Sequence, residues 1–198
     1  TSEVIWVKEL FPNSKNYASV YDDYNLFGQT KTIMAHCIYN TDEEIDLMAQ
    51  NGVYAAHCPY SNYNLSSGIM PLRKFLDKGV PVGLASDISG GNSLSMMRII
   101  AGAIQASKMK WLGTEKELAP LSFSEAFYLA TKGGGSFFGK VGSFEEGYDF
   151  DALIIDDSPL TGIKDLTIEE RLQKFIYIGD DRNIIERYVK GRKVRKPF

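Results

Sequence analysis

Three apolar runs in this chain each end on a side chain that can bind a metal or move a proton. Thr32-Ile33-Met34-Ala35-His36 and Val53-Tyr54-Ala55-Ala56-His57 end on the only two histidines, and Val80-Pro81-Val82-Gly83-Leu84-Ala85-Ser86-Asp87 ends on a carboxylate. His36 reads as a metal ligand or as a hydrogen-bond partner of a metal-bound hydroxide; its plainer role is a satisfied core histidine. A carboxylate buried at the end of such a run is costly unless a cation or donors compensate it. Asp87 therefore reads as a metal ligand that also takes a proton from bound water, with capping of the following turn as the bland alternative. His57 could be a ligand, a pocket residue or a structural hydrogen bonder. Ser61, Asn62 and Asn64 could line a pocket or simply form a loop.

Other residues carry weaker signals. Cys37 and Cys58 each follow a histidine, but no CxxC spacing exists, so small packing residues are the simpler reading. Gly133-Gly134-Gly135 lacks the lysine and the preceding strand of a phosphate-binding loop, and reads as a helix stop. Gly179-Asp180-Asp181 could be a two-metal carboxylate pair, but between two short strands it reads as a turn. The basic run Arg192-Lys193-Val194-Arg195-Lys196 reads as a solvated strand end.

Parallel strands that each present a His or Asp at the carboxyl end belong to an active site on an α/β barrel. The segments between them carry helix signals. Thr41 and Glu44 form a capping box ahead of the stripe Ile45, Met48 and Ala49, and Asn51-Gly52 ends that helix. A polar loop is expected from Tyr60 to Gly68. Helices are expected over residues 69–78 and 94–110, and another from the Ser122/Glu125 capping box through Thr131. Residues 1–11 read as a helix and 12–31 as loop-like or weakly helical. From about Val141 short strands are expected at 151–155, 174–178 and 183–194, with a hairpin turn at Gly191. Strand–helix units cover 32–110, fewer than the eight of a closed barrel of about 250 residues. The expected architecture is thus α/β, part of a (β/α)8 barrel of the TIM type, with short strands after about Val141. Because a sheet does not leave such edges open, a longer polypeptide or a partner segment is expected to complete it.

The bulk numbers exclude several classes. The chain has 198 residues, 44% of them hydrophobic, with 22 basic and 25 acidic side chains and a formal charge of −3. That balance gives no electrostatic reason for a nucleic-acid or membrane-surface partner. Two cysteines do not make a disulfide framework, so a reducing cytoplasm is the simpler location. No apolar run approaches the ~20 residues of a membrane span, and no stretch has the pattern of a signal peptide. The chain starts at Thr1, which reads as something other than a natural N-terminus.

Met34-Ala35-His36, Ala56-His57-Cys58-Pro59-Tyr60-Ser61-Asn62 and Gly83-Leu84-Ala85-Ser86-Asp87 resemble the last three barrel strands of the amidohydrolase superfamily. Asn64-Leu65-Ser66-Ser67-Gly68, Gly90-Gly91 and the stretch from Lys174 to Ile184, with its Gly179-Asp180-Asp181-Arg182-Asn183, are similar to the guanine deaminase branch. The resemblance covers nearly the whole chain, and implies the C-terminal part of a metal-bearing (β/α)8 barrel over 1–140 with strands largely of a small β-sandwich over 141–198. It implies a hydrolase of C–N bonds in cyclic amidines that converts guanine to xanthine and ammonia, one zinc per site (iron suits the same ligands), and a homodimer in purine catabolism. Asp87 matches the eighth-strand aspartate that binds zinc and takes a proton from the metal-bound water. His36 matches the sixth-strand histidine that orients the hydroxide and steadies the tetrahedral carbon. Both would touch the substrate guanine. His57 matches a seventh-strand position that is not a ligand in this branch. The HxH pair, the fifth-strand His-x-x-Glu and the guanine-recognising residues of that family have no counterpart here, so roughly the N-terminal half is expected to be missing and the chain alone to be inactive. Two other readings stand beside this one. A sibling hydrolase could act on a triazine, a pterin or another purine. A non-catalytic module could bind a partner through its barrel edges.

Overall fold

The computed structural model describes residues 2–160, 162 and 165–195. Residue 1 of the first expected helix and Lys196 of the basic run lie outside the described residues, as do the outer limits of the two expected domains. The chain opens with α1 (Ser2–Leu10) and α2 (Tyr17–Asp23) and then enters a parallel sheet of β1 (Ile33–Ala35), β2 (Tyr54–His57) and β3 (Val82–Leu84), in the order β1-β2-β3. Between β1 and β2 runs α3 (Asp42–Gln50); between β2 and β3 run α4 (Pro59–Asn64) and α5 (Leu72–Asp77). The long α6 (Met96–Gly113) and the short α7 (Phe123–Tyr128) follow, and a π-helical turn over Leu129–Gly133 extends α7. The remainder holds β4 (Ala152–Ile155), α8 (Ile168–Ile178), β5 (Ile184–Val189) and β6 (Arg192–Val194), whose strands form an antiparallel sheet in the order β4-β5-β6.

Local chemistry accounts for the element ends. Thr41 Oγ1 accepts from the Glu44 amide and Glu44 Oε2 from the Thr41 amide, so two otherwise orphaned donors are satisfied at the start of α3. The second Glu44 oxygen accepts from the Ala18 amide at 2.9 Å, which ties α2 to α3 through a buried carboxylate. Gly52 takes a φ of 63° and ends α3 as expected. Lys190 and Gly191 both have positive φ, the type I′ geometry of a two-residue hairpin between β5 and β6.

The core lies on one face of the parallel sheet. Ile45, Met48, Val53, Ala55, Phe75, Val82 and Ile100 are buried there between strands and helices. The other face opens on an apolar groove lined by Ile33, Tyr54, Ala56, Leu84, Phe137 and Leu153. That face is covered only in part, by the helical turn that holds Gly134, by Phe137 and by Leu153 of β4, and Ile33 is 44% exposed. This corrects the expectation of buried strands: three strands cannot close on themselves, so part of the groove face stays open.

Three further expectations give way. Residues 174–178 are not a strand but the last turns of α8. Its start is a third capping box, Thr167 with Glu170, and Phe175 and Ile176 face α6 in the core. The expected polar loop from Tyr60 begins instead as α4, with Pro59 in the first helical turn where its missing N–H costs nothing. The glycine triplet does not stop a helix. Gly134 has helical φ and ψ of −66° and −37°, and a Cβ built on Gly83 of β3 would lie 3.1 Å from the Gly134 Cα. Absent side chains there let strand and helical turn approach backbone to backbone.

Candidate active site

His36 follows β1 and Asp87 follows β3, on either side of the central strand β2. Their backbones turn sharply: φ is 68° at His36, 49° at Cys37 and 43° at Asp87. Left-handed backbone at non-glycine residues costs about 1–3 kcal/mol each and clusters at functional sites. The turns bring His36 Nε2 to 3.9 Å from Asp87 Oδ2. That distance is too long for a direct hydrogen bond and short enough for both atoms to reach one small third group.

The Asp87 carboxylate is not buried, which corrects the desolvation argument made from sequence. Its side chain is 40% exposed and that of His36 42%. Both open to the mouth of the sheet. Nor does Asp87 cap the next helix; Ser95 holds that position ahead of α6. Its carbonyl accepts from the Gly91 amide and closes the turn 87–91. Gly90 sits under the carboxylate, where a Cβ would lie 2.8 Å from Asp87 Oδ2 and 2.7 Å from Ser61 Oγ.

The helix α4 joins the two halves of the site. Asn62 Oδ1 lies 3.0 Å from His36 Nδ1. Asn64 donates through Nδ2 to the Gly90 carbonyl at 2.9 Å, within the Asp87 turn. The helix is held by α6, because Gly102 leaves room for the Tyr60 ring and its carbonyl accepts from the Tyr63 hydroxyl. Sequence reasoning placed Ser61, Asn62 and Asn64 equally in a pocket or a bland loop. The SN pair in the turn after β2 was the available signal, but its helical state was not recognised.

His57 is not brought into the pair. It is 1% exposed, and neither ring nitrogen has a partner among the described residues. Burial alone pushes its pKa down to about 4. Burial also pushes the thiol pKa of Cys37 up to about 12 and that of Cys58 up to about 11, as expected of packing cysteines. Asp180 caps the short turn over 181–183 through the Arg182 amide and pairs with the Arg182 guanidinium, so the Gly179-Asp180-Asp181 segment is a turn. Asn183 Nδ2 donates to the Asp156 carbonyl and stitches that turn to the end of β4. Among the described residues no group of three or more His, Cys, Asp or Glu side chains could hold a metal ion.

The sequence pattern of the amidohydrolase family matches residues 1–194. The chain belongs to the amidohydrolase family. Its three parallel strands and their helices are accordingly part of that family's TIM-type barrel, as similarity to solved structures also shows. A guanine deaminase of Dictyostelium discoideum is 42% identical over 200 residues, which cover 98% of this chain and 44% of that protein. The crystal structure of the guanine deaminase from C. acetobutylicum, with guanine bound in its active site, is 56% identical with a TM-score of 0.94. That match covers 98% of this chain and 46% of the crystallised one. An adenosine deaminase from Xanthomonas campestris, solved with bound zinc, shares the fold at 23% identity and a TM-score of 0.80, covering 98% of this chain and 43% of its own. This amidohydrolase chain therefore spans less than half the length of these relatives.

Proposed function

We propose that the protein carrying this chain is a metal-dependent guanine deaminase, converting guanine and water to xanthine and ammonia. The convergence of His36 and Asp87 at the mouth of three parallel strands carries this reading. Similarity to guanine deaminases along almost the entire chain supports guanine over other amines.

In this reading Asp87 is a metal ligand and the proton acceptor, and His36 is the imidazole that orients the attacking oxygen. An exposed carboxylate at a strand end, beside an imidazole nitrogen, suits a divalent cation with oxygen and nitrogen preferences. Zinc, when bound, supplies Lewis acidity that brings the pKa of water down to about 7. Asp87 then receives the water proton and passes it on toward the departing amine. His36 Nε2 holds the oxygen in line with the purine carbon that loses the amino group. Both side chains face the same space and would touch guanine.

A catalytic zinc site takes three protein ligands, and this chain offers one carboxylate and one imidazole. The remaining ligands and the residues that grip the guanine edge are assigned to the part of the relatives' length that the chain does not span. The chain alone is accordingly expected to bind zinc weakly and not to turn over. The same proposal places a barrel portion over 1–140 and a small β-sandwich portion over 141–198. It also includes a cytoplasmic homodimer serving purine catabolism. No helix among the described residues is long and apolar enough to cross a membrane.

A substrate panel tests the choice of guanine. The polypeptide that joins this chain to its upstream barrel half, loaded with zinc, should deaminate guanine faster than adenosine, a pterin or an aminotriazine. Equal or better rates on a non-guanine amine would displace guanine and leave a sibling hydrolase.

A further inference from the structure

We infer that Asn62 is a positioning residue that fixes His36 as the tautomer protonated on Nδ1, leaving the Nε2 lone pair aimed at the space beside Asp87. An amide oxygen can only accept a hydrogen bond. With Asn62 Oδ1 3.0 Å from Nδ1, a proton on that ring nitrogen completes the hydrogen bond. The neutral ring then has its lone pair on Nε2, 3.9 Å from Asp87 Oδ2. Two lone-pair acceptors converge on one space. Such an arrangement favours a cation or a proton donor between them, which is what the deaminase reading requires of the attacking water. The catalytic use of the tautomer rests on that reading, whereas the tautomer itself rests only on the hydrogen bond.

The placement of Asn62 is over-determined. The residue is 1% exposed. Its amide donates to the Cys58 carbonyl and its carbonyl accepts from the Ser67 amide, so the α4 backbone clamps it from both sides. Tyr60 and Tyr63 lock the helix against Gly102. His36 is in turn held by its own amide, which donates to the Ala56 carbonyl at 2.9 Å. The bonds to Cys58 and Ser67 hold the Asn62 backbone; its side chain meets His36 through Oδ1, while Nδ2 has no partner among the described residues. A buried amide oxygen at hydrogen-bond distance from a half-exposed imidazole favours the tautomer that donates to it.

Only two histidines occur in 198 residues, so long-range proton–nitrogen correlation on the labelled chain gives two imidazole patterns. His57→Leu assigns them by removing one. At alkaline pH, where imidazole is neutral, His36 should show Nδ1 protonated and Nε2 bare. Asn62→Ala should move it to the Nε2-protonated form that free imidazole favours, and Asn62→Asp, which still accepts from Nδ1, should keep the original pattern. In the zinc-loaded polypeptide with its upstream half, Asn62→Ala should lower kcat by roughly 10–100-fold, the usual cost of losing a partner that orients a site imidazole. KM should stay near its original value, and Asn62→Asp should restore most of the rate. A wild-type His36 protonated on Nε2, or an Asn62→Ala pattern identical to wild type, would overturn the inference. Should Asn62→Ala not fold, the wild-type and Asn62→Asp spectra still decide. A correct tautomer in a protein that does not deaminate guanine would leave the inference standing and remove the substrate assignment alone.

Discussion

His36 Nε2 and Asp87 Oδ2 approach to 3.9 Å although their strands are not neighbours: β2 lies between β1 and β3. Adjacent strands are about 4.8 Å apart, so the backbones are separated by about twice that. The side chains close the gap because both residues leave their strands with left-handed backbone, φ 68° and 43°. His57, at the end of the middle strand, points into the core instead.

Gly90→Ala should damage the site while sparing the fold. The added Cβ would lie 2.8 Å from Asp87 Oδ2 and 2.7 Å from Ser61 Oγ. Both must give way, and the carboxylate, being 40% exposed, is free to swing away from His36. A displacement on the order of 1 Å costs roughly 100-fold in rate. Steady-state deamination by the zinc-loaded polypeptide with its upstream half, set beside its thermal midpoint, checks this; a large fall in midpoint with unchanged specific activity would contradict it.

Gly134→Ala should do the reverse. Its φ of −66° suits any residue, so the penalty is steric. The new Cβ would lie 2.9 Å from the Leu129 carbonyl oxygen and 3.3 Å from the Gly83 Cα, both backbone atoms that cannot swing aside. Overpacking of this kind costs about 1–3 kcal/mol. Urea unfolding of this chain reads it directly, and a midpoint equal to wild type would show that the strand–turn contact is looser than it looks.

Stability should fall in two steps as pH is lowered. His57 is buried with a pKa near 4, below the ordinary histidine value of ~6.5. The unfolded chain binds its proton first, so this contribution is whole above about pH 6.5 and is lost as pH falls toward 4. Glu125 is held near a pKa of about 2, chiefly by its two hydrogen bonds from Arg73, against ~4.3 for free glutamate. Its contribution is whole above about pH 4.3 and is lost on the way to 2. Since Glu125 is 40% exposed, solvent screens the pair, and it is worth ~1 kcal/mol. Arg73→Ala should shrink the lower step, to which Asp180 beside Arg182 also contributes, and keep the upper; unfolding curves collected across this pH range that showed an unchanged lower step would contradict the assignment.

His57→Leu should remove the upper step without weakening the chain at neutral pH. Two buried ring nitrogens without partners among the described residues gain nothing from being polar, and an apolar replacement of similar size is close to neutral. A loss of more than ~2 kcal/mol at pH 7 would mean that the ring nitrogens do have partners in solution.

Much of the framework around the candidate site was legible in the chain because its signals are local. Apolar runs that end on His36 and Asp87 mark strand ends, and capping boxes at Thr41 and Ser122 mark helix starts; both fell where expected. What failed depends on tertiary surroundings. Lys174–Ile178 is apolar enough for a strand, and only the Thr167/Glu170 box reveals the helix that contains it. The burial of Asp87 was inferred from its neighbours in sequence, but exposure depends on how many strands surround the sheet. The role of Asn62 required knowing that α4 folds back over His36, a contact across 26 positions of chain.

Asp87 and His36 are proposed to form part of a metal-dependent guanine deaminase site. The decisive measurement follows the loss of guanine ultraviolet absorbance by the zinc-loaded polypeptide that joins this chain to its upstream barrel half, with and without chelator, alongside Asp87→Ala. Conversion to xanthine that stops on chelation and falls by roughly 10²–10⁴-fold in the variant, the range for a lost proton acceptor, is the expected result. Zinc-dependent conversion that survives Asp87→Ala, or none at all by the folded, zinc-loaded protein, would contradict the claim.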